Sequence, residues 1–320
     1  MVGAARGAEG WPSRPYETAA DLRLMQALSA TCWRADWPAP STHPGDLDWW
    51  ARDAAGGAAG LAERVQLWFA GEADASELVA WGWFSLPGDL DLMIRPDLRR
   101  TELVAAIVGW AEERARANAI AGVTPAEAIQ AIAGDAQPAV IEALRRLGFH
   151  AVEGGATAHF TRQFDSWEIP ELILPAGFEV RTLESDADVT SRVACGRAAF
   201  PQSQMTAEKY QVVRRGTLYR PGLDRIVIAP DGSVAAFALG WLDPVNLALE
   251  LEPVGVHPTY QRRGLGRAVC LAAIRAGQAL GATHGLICAE GRNPAALALY
   301  AGLGYEITTW ARPYRRLLSV

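Results

Sequence analysis

The sequence has little cysteine, histidine and lysine, and it has no long apolar run. Its 320 residues include 5 histidines and 4 cysteines, and Lys209 is the single lysine. The cysteines are widely spaced: Cys32, Cys195, Cys270 and Cys288. Such separations do not match the short ligand spacings of a zinc site or a CxxC redox site. No stretch approaches the ~18 apolar residues that a membrane-spanning helix needs, and the N-terminus lacks the apolar segment of a signal peptide. We therefore expect reduced thiols, a cytoplasmic protein and no membrane partner.

Charge and composition narrow the class of protein further. The formal net charge is -6 at pH 7, whereas nucleic-acid binders carry a basic excess. Half of the residues are apolar, and 320 residues suffice for about two domains. We expect no nucleic-acid partner, a small-molecule substrate, and a monomer or homodimer.

Residues 249–268, LELEPVGVHPTYQRRGLGRA, are the most informative segment. An apolar strand with Glu250 and Glu252 on one face leads through a short loop into a helix that starts at Gly264 and Gly266. The N-terminus of such a helix offers unpaired N–H groups and the positive end of the helix dipole, which together bind phosphate. Three arginines lie in the same turn: Arg262, Arg263 and Arg267. The pattern predicts an anion site beside two carboxylates.

A dinucleotide-binding fold is an alternative explanation of the two glycines. Glu290 even lies about 20 residues beyond them, where that fold places a ribose-binding acid. However, residues 257–263 make the connection from strand to glycine longer than in that fingerprint, and Val269 occupies the third glycine position. Too little chain follows Glu290 to complete a doubly wound sheet. These features count against dinucleotide binding.

The segment resembles the acetyl-CoA-binding motif of the GNAT N-acetyltransferase superfamily. Its signature, Gln/Arg-x-x-Gly-x-Gly/Ala, is matched by Gln261, Gly264 and Gly266. A second family motif, NPAALALY, spans residues 293–300 and is followed by GLGY at residues 302–305. The two motifs occur in the expected order, separated by one predicted helix and one predicted strand.

The resemblance implies that acetyl-CoA is the co-substrate and that no metal is needed. It places the thioester oxygen on the N–H of Val256, the pyrophosphate on the amides of residues 261–267, and the pantetheine arm beside Asn293. The predicted cofactor-binding residues are Val254, Gly255, Val256, Gln261, Arg262, Arg263, Gly264, Leu265, Gly266, Arg267 and Asn293.

Acetyl transfer to an amine needs a proton acceptor and a proton donor for the leaving thiolate. Tyr300 matches the family's donor. Glu250 and Glu252 each match a register that family members use for the base, and either could accept a proton directly or through water. Glu250 is slightly favoured, because Glu252 could be an ordinary solvated strand residue.

The N-terminal half repeats the pattern of the C-terminal half. Placing Pro96 on Pro258 aligns residues 90–100 with residues 252–262, and residues 138–149 parallel residues 294–305. Residues 102–104, ELV, align with residues 264–266, which contain the two glycines of the predicted anion site. The first half has therefore lost the phosphate site. The resemblance predicts an α/β fold of two tandem GNAT-like units, each a mixed, mostly antiparallel sheet flanked by helices. The expected limits are residues 1–165 for the degenerate unit, 166–177 for a linker, and 178–320 for the acetyl-CoA-binding unit.

The acceptor is expected to be a primary amine of a small molecule. The candidate contact residues are Gln202, Ser203, Gln204, His43 and Asp46. The N-terminal unit is then either structural or one wall of the acceptor site. Two alternatives stay open: a non-catalytic acyl-CoA-binding or regulatory protein, and an N-acyltransferase that uses a longer acyl-CoA.

Overall fold

The computed structural model describes residues 11–39, 42–52, 58–71, 77–85, 87–123, 125–165 and 167–318. Residues 1–10, Ser166 and residues 319–320, which fall within the expected domain limits, lie outside them. Over the described residues the fold is a mixed α/β fold with helices on both faces of the sheet. This confirms the predicted fold class. None of the helices in these ranges is long and apolar enough to cross a membrane.

The first half of the chain supplies seven strands and five helices to the described structure. The strands are β1 (Ser13–Pro15), β2 (Val65–Ala70), β3 (Glu77–Ser85), β4 (Asp89–Ile94), β5 (Ala128–Gly134), β6 (His150–Ala151) and β7 (Thr157–Gln163). The helices are α1 (Ala19–Asp36), α2 (Pro44–Ala51), α3 (Ala58–Ala62), α4 (Thr101–Ile120) and α5 (Pro138–Arg146).

The second half repeats this order with small differences. Its strands are β8 (Glu179–Thr182), β9 (Asp224–Ile228), β10 (Val234–Asp243), β11 (Ala248–Val256), β12 (His284–Glu290) and β13 (Glu306–Leu317). Its helices are α6 (Asp186–Ala199), α7 (Ala207–Val213), α8 (Leu265–Ala279) and α9 (Pro294–Gly302).

The start of each half shows the repeat at the level of single side chains. In the first half, the Thr18 side chain caps α1, and Arg14 on β1 forms a two-point ion pair with Asp21 in the first helical turn. In the second half, Ser185 caps α6, and Arg181 on β8 pairs in the same way with Asp188. Because a carboxylate in the first turn also favours the helix dipole, the same local device starts both units.

The two halves share a continuous sheet in which they exchange their last strands. The strand order over the described residues is β1-β2-β3-β4-β5-β13-β7-β12-β11-β10-β9-β8, with β6 beside β13. β12 therefore pairs with β7 of the first half, and β5 pairs with β13 of the second half. β13 is 12 residues long because its first part pairs with β7 and its second part with β5. Strand β7 lies within residues 1–165, the predicted first unit, but it pairs with β12 of the second half. The domain limits stay a prediction.

Each half contains one pair of parallel strands that separate soon after they meet. β11 and β12 are paired only between residues 248–250 and residues 284–286. β4 and β5 are paired only between residues 89–90 and residues 130–131. Beyond those points the strand ends leave backbone groups without a sheet partner, which creates an opening in the sheet of each half.

Candidate active site

The turn between β11 and α8 has the backbone shape of an anion-binding cradle. Gly264 is the residue before α8 and has a left-handed conformation with φ of 78°. Arg262 also has a positive φ, of 60°. A Cβ at Gly266 would lie 3.2 Å from Val256 Cγ2, so this glycine allows α8 to approach β11 closely. The N–H groups of the first helical turn therefore point past the end of β11.

The three arginines of this turn differ in what they contact. Arg267 donates to the carbonyl of Gly302 at 2.6 Å and so ties α8 to the end of α9. Arg263 lies over the ring of Tyr260, with 5.7 Å between its guanidinium carbon and the ring centroid. Arg262 and Arg263 are exposed at the cradle, as is Gln261. The structure thus leaves two of the three guanidinium groups facing solvent where an anion would approach.

Strand β11 has a bulge where the two glutamates lie. Its pairing with β10 shifts register between Ala238 and Gly240, opposite Glu252. The indole N–H of Trp241 donates to the carbonyl of Glu252 at 2.7 Å, which satisfies the group that the bulge removes from the ladder. The bulge lies next to the point where β11 and β12 separate.

A cavity of about 280 Å³ opens at this point between the two halves. The acidic and sulfur-containing side chains that line it are Asp46, Asp91, Glu250, Glu252 and Cys288. Asp46 and Asp91 come from the first half, and the other three come from the second half. Trp50 and Thr309 also line the cavity. The dense tryptophans of the first half, Trp50 among them, suggested an aromatic acceptor cleft between the units, whereas the sequence did not single out Asp91, Cys288 or Thr309 as site residues.

Three of these carboxylates form a tight cluster. Asp46, Glu250 and Glu252 each place an oxygen within 4.8 Å of the others. Burial raises the pKa of Glu250 well above its usual range, and repulsion by Asp46 and Glu252 adds to the effect. Burial also raises the pKa of Asp46 well above its usual value; the hydrogen bond between the two side chains opposes that rise and adds to the rise of the Glu250 pKa. We infer that the shared proton resides on Glu250. An arrangement of this kind attracts a cation, either a metal ion or an ammonium group.

Glu252 is the more accessible of the two strand glutamates. Its side chain is partly exposed, whereas Glu250 is 2% exposed. Burial raises the pKa of Glu252, and the charge of Arg52 opposes that rise. Glu252 therefore lines the cavity as a carboxyl group whose pKa lies above its usual value.

His43 does not contact the cavity, contrary to the expectation that it binds the acceptor. It is fully buried and caps α2: its Nδ1 accepts from the N–H of Gly45 at 3.0 Å. Its Nε2 must then donate to the carbonyl of Ala248 at 3.3 Å. Burial lowers the pKa of His43 to about 4, so the ring is neutral beside Glu250, whose Oε2 is 3.4 Å from Nδ1. His43 positions α2, and with it Asp46, against β11.

The three polar residues before α7, which were expected to contact the acceptor, lie in different surroundings. Gln204 lines a second cavity, next to the first. The Ser203 hydroxyl accepts from the N–H of Met205 at 3.3 Å, which shapes the turn. Gln202 is exposed. Of the five expected acceptor contacts, Asp46 and Gln204 are the two that line these cavities.

Asn293 and Tyr300 both belong to α9, Asn293 as its N-cap and Tyr300 on its buried face. The Asn293 side chain accepts from the N–H of Ala296 at 3.1 Å and caps the helix. Tyr300 is buried, with its ring edge-to-face against Phe160 at 5.7 Å between centroids. Burial raises the pKa of Tyr300 well above its usual value, and the charges of Cys270 and Glu252 add to this. The phenol is thus held protonated within electrostatic reach of Glu252.

Comparison with known proteins agrees with this geometry. Residues 191–305 match the acetyltransferase (GNAT) family. The match to this acetyltransferase family lies in the second half of the chain. It is similar to the mycothiol acetyltransferase of Nocardioides sp., with 26% identity over 80% of this chain and 90% of the relative. It is also similar to that of Saccharomonospora viridis, with 26% identity over 76% of this chain and 81% of the relative. The predicted family is confirmed, and GNAT acetyltransferases take their acetyl group from acetyl-CoA.

Two solved structures share the fold of nearly the whole chain. A GCN5-related N-acetyltransferase from Sphaerobacter thermophilus has a TM-score of 0.67 and 20% identity, over 97% of this chain and 96% of its own. A tandem GNAT protein from the clavulanic acid biosynthesis pathway has a TM-score of 0.68 and 16% identity, over 97% of this chain and 99% of its own. The likeness extends over both halves, which agrees with a fold of two tandem units.

The ionisation of Asp91 makes stability depend on pH. Burial raises the pKa of Asp91 to about 7, with a smaller contribution from Asp89. The folded protein therefore binds a proton that the unfolded chain has released, and the free energy of unfolding should fall as pH rises from about 4 to about 7. Asp91→Asn removes this loss. The melting temperature of the variant should match that of the wild type at pH 4 and exceed it at pH 8. A difference in melting temperature between variant and wild type that is largest at pH 4 would contradict the raised pKa of Asp91.

Proposed function

We propose that this GNAT enzyme transfers the acetyl group of acetyl-CoA directly to a primary amine of a small molecule, in a ternary complex. One observation supports this most strongly: Glu252 lines a cavity at the opening between β11 and β12, and its charge acts on the Tyr300 hydroxyl. The four thiols are free, which suits a reducing compartment such as the cytoplasm.

The cradle and the opening suit successive parts of the donor. The pyrophosphate would accept hydrogen bonds from the amides of residues 261–267, with Arg262 and Arg263 adding charge. The pantetheine arm would lie along residues 254–256 and pass Asn293. The N–H of Val256 would then bind the thioester oxygen, and it would stabilise the negative charge that develops when the amine attacks.

We assign the proton acceptor to Glu252 rather than to Glu250. Both glutamates line the cavity, but Glu250 is 2% exposed and shares a proton with Asp46, whereas Glu252 is partly exposed. The ammonium of the acceptor gives a proton to Glu252, and the free amine attacks the thioester carbon. The C–S bond then breaks, and the Tyr300 hydroxyl protonates the departing thiolate. The nitrogen, positively charged after its attack, loses its second proton, which restores the Tyr300 hydroxyl, while Glu252 releases the first proton to solvent. The products are the acetylated amine and CoA.

Cys288 lines the same cavity and raises the question of an acetyl-cysteine intermediate. Burial, together with Glu250, Glu252 and Asp46, raises the pKa of its thiol well above the usual value. Only the thiolate is a good nucleophile, and these surroundings disfavour it. Direct transfer is therefore the mechanism that we propose.

The first half would complete the acceptor site without binding acetyl-CoA itself. Asp46, Trp50 and Asp91 line the cavity. The helix of this half that corresponds to α8 is α4, and it has Glu102 in its first turn. A carboxylate there repels phosphate. We expect one acetyl-CoA site per chain.

The left-handed residue before α8 offers a test of the cradle. Gly264→Ala should raise the Kd for acetyl-CoA by about five- to tenfold, because alanine disfavours a φ of 78° by roughly 1 kcal/mol. The added methyl group meets no atom within 4 Å, so the effect would come from backbone strain. Gly109→Ala in α4, where the added methyl group also meets nothing within 4 Å, is the matched control and should leave binding unchanged. Equal Kd values for Gly264→Ala and wild type would argue against the cradle as the phosphate site.

The raised pKa of Glu252 predicts the pH dependence. The carboxylate form accepts the proton, so kcat/KM should rise with pH through a midpoint above the usual glutamate value of about 4.3. Tyr300 should cause no fall below about pH 10, because its own pKa is raised. The acceptor amine also titrates, so Glu252→Gln serves as the control. In this variant the part of the rise in kcat/KM that comes from Glu252 should disappear, and the part that comes from the amine should remain. If Glu252→Gln had the same pH dependence of kcat/KM as wild type, Glu252 would not be the proton acceptor.

Release of CoA over a panel of amines tests the function itself. The panel should include an amine of the mycothiol type, because the relatives are named mycothiol acetyltransferase. We expect acetyl-CoA-dependent turnover of at least one amine. Binding of acetyl-CoA without turnover of any amine would instead support a non-catalytic protein, and preference for a longer thioester would support a different acyl donor.

A further inference from the structure

A second cavity, of about 450 Å³, adjoins the acidic one. The two cavities share Trp50 and Asp91 as lining residues, so they form consecutive parts of one cleft. The second cavity has three basic side chains in its wall: Arg52, Arg64 and Lys209. We call it the basic chamber and the first cavity the acidic chamber.

The basic chamber is built by both halves of the chain. Arg52 follows α2 and Arg64 precedes β2, whereas Lys209 belongs to α7 of the second half. Lys209 is also the single lysine of the sequence. The guanidinium of Arg52 lies over the Trp49 ring, 4.1 Å from its centroid, and its charge opposes the rise that burial causes in the pKa of Glu252. Arg52 thus lies toward the acidic chamber, while Arg64 and Lys209 give the basic chamber its own positive charge.

Two buried polar atoms of the acidic chamber form no hydrogen bond with any residue that the structure describes. They are Oε2 of Glu250, a residue 2% exposed, and Oγ1 of Thr309, a residue 6% exposed. Unsatisfied buried acceptors are costly, so both atoms are suited to hydrogen bonds from a ligand with N–H groups. The cleft therefore offers acceptors and negative charge at one end and positive charge at the other.

We propose that the acceptor is an amine that also carries an anionic group, either a carboxylate or a phosphate. The amine would occupy the acidic chamber next to Glu252, and the anion would contact Arg64 and Lys209 in the basic chamber. This proposal rests on the proposed function and adds the substrate class. It also assigns a function to the first half of the chain, which has no phosphate cradle. Asp46, Asp91 and Arg64 of that half would select the acceptor.

Matched pairs of amines test this proposal. 5-Aminopentanoate is compared with 5-aminopentanamide, and 5-aminopentyl phosphate with 5-aminopentanol, so each pair differs in the anionic group alone. For wild type we expect kcat/KM to favour the anionic member of at least one pair by about tenfold, the effect of one charge-assisted contact. The pair that shows the larger ratio distinguishes carboxylate from phosphate. Calorimetric binding of the same compounds to the CoA-loaded full chain should show the same preference without turnover.

Charge-removing variants locate the anion. Arg64→Gln and Lys209→Gln should each lose most of the preference for the anionic member, while turnover of the neutral member stays within about twofold. Arg64→Lys keeps the charge and should keep the preference. Arg146→Gln is a remote control, because Arg146 is exposed and pairs with Glu142 on α5.

The outcomes separate the inference from the function on which it rests. Turnover of neutral and anionic amines at equal rates, or equal binding of both, would overturn the anionic acceptor and leave the acetyltransferase function in place. A preference that survives both Gln variants would overturn the assignment to Arg64 and Lys209. Failure to bind acetyl-CoA at all would contradict the proposed function itself.

Discussion

Glu252→Gln is expected to lower kcat/KM by about 10²–10⁴-fold, the usual contribution of a general base. Glutamine keeps the shape of the side chain but cannot accept the proton of the ammonium. Since the cradle lies outside the acidic chamber, the Kd for acetyl-CoA should stay the same. Steady-state CoA release and calorimetry on the same preparation would measure both quantities.

Glu250→Gln is the matched control for this prediction. Glu250 is buried and carries the shared proton, so its replacement should cost less activity than that of Glu252. It should also change the pH profile, because Asp46 and Glu252 would lose a coupled neighbour. A larger loss for Glu250→Gln than for Glu252→Gln would reverse the assignment and restore the expectation from the sequence.

Tyr300→Phe is expected to lower kcat by about 10²-fold or more, with little change in the Kd for acetyl-CoA. Without the hydroxyl, the thiolate must leave unprotonated or wait for water. The ring and its edge-to-face contact with Phe160 remain, so the melting temperature should be close to that of wild type. Single-turnover rates would show whether the loss lies in the chemical step.

Tyr305→Phe provides a matched control from the same part of the chain. The Tyr305 hydroxyl is buried, like the Tyr300 ring, and has no hydrogen-bond partner in the structure. Its removal should leave kcat unchanged and keep or increase stability, because an unsatisfied buried group is lost. Equal effects of the two substitutions on kcat would indicate that Tyr300 acts through packing and not as a proton donor.

Local sequence patterns were sufficient to predict most of the second unit. The helix and strand around the cradle follow from Gly264, the apolar period of α8 and the glycine after it. The motif that starts at Asn293 likewise predicted α9, because proline at the first helical position and an amide cap are local signals. The repeat was also visible, since Pro96 and Pro258 open corresponding turns.

The parts that the sequence did not predict depend on contacts between the halves. The exchange of β7 and β13 changes no residue pattern, because each strand alternates in the same way whichever neighbour it pairs with. The burial of His43 arises from the packing of α2 on β11, which lies about 200 residues away in sequence. The preference for Glu252 over Glu250 also depends on Asp46, a first-half residue that raises the pKa of Glu250. Pairwise electrostatics of this kind cannot be read from one strand alone.

The most direct measurement of direct acetyl transfer is a single turnover with ¹³C-acetyl-CoA and an amine that the enzyme accepts. Mass spectrometry then follows both the intact protein and the small molecules through the reaction. We predict that the label passes from CoA to the amine and that the protein mass never increases by an acetyl group. A labelled acetyl group on the protein, at Cys288 or elsewhere, that forms and decays at the rate of turnover would contradict direct transfer.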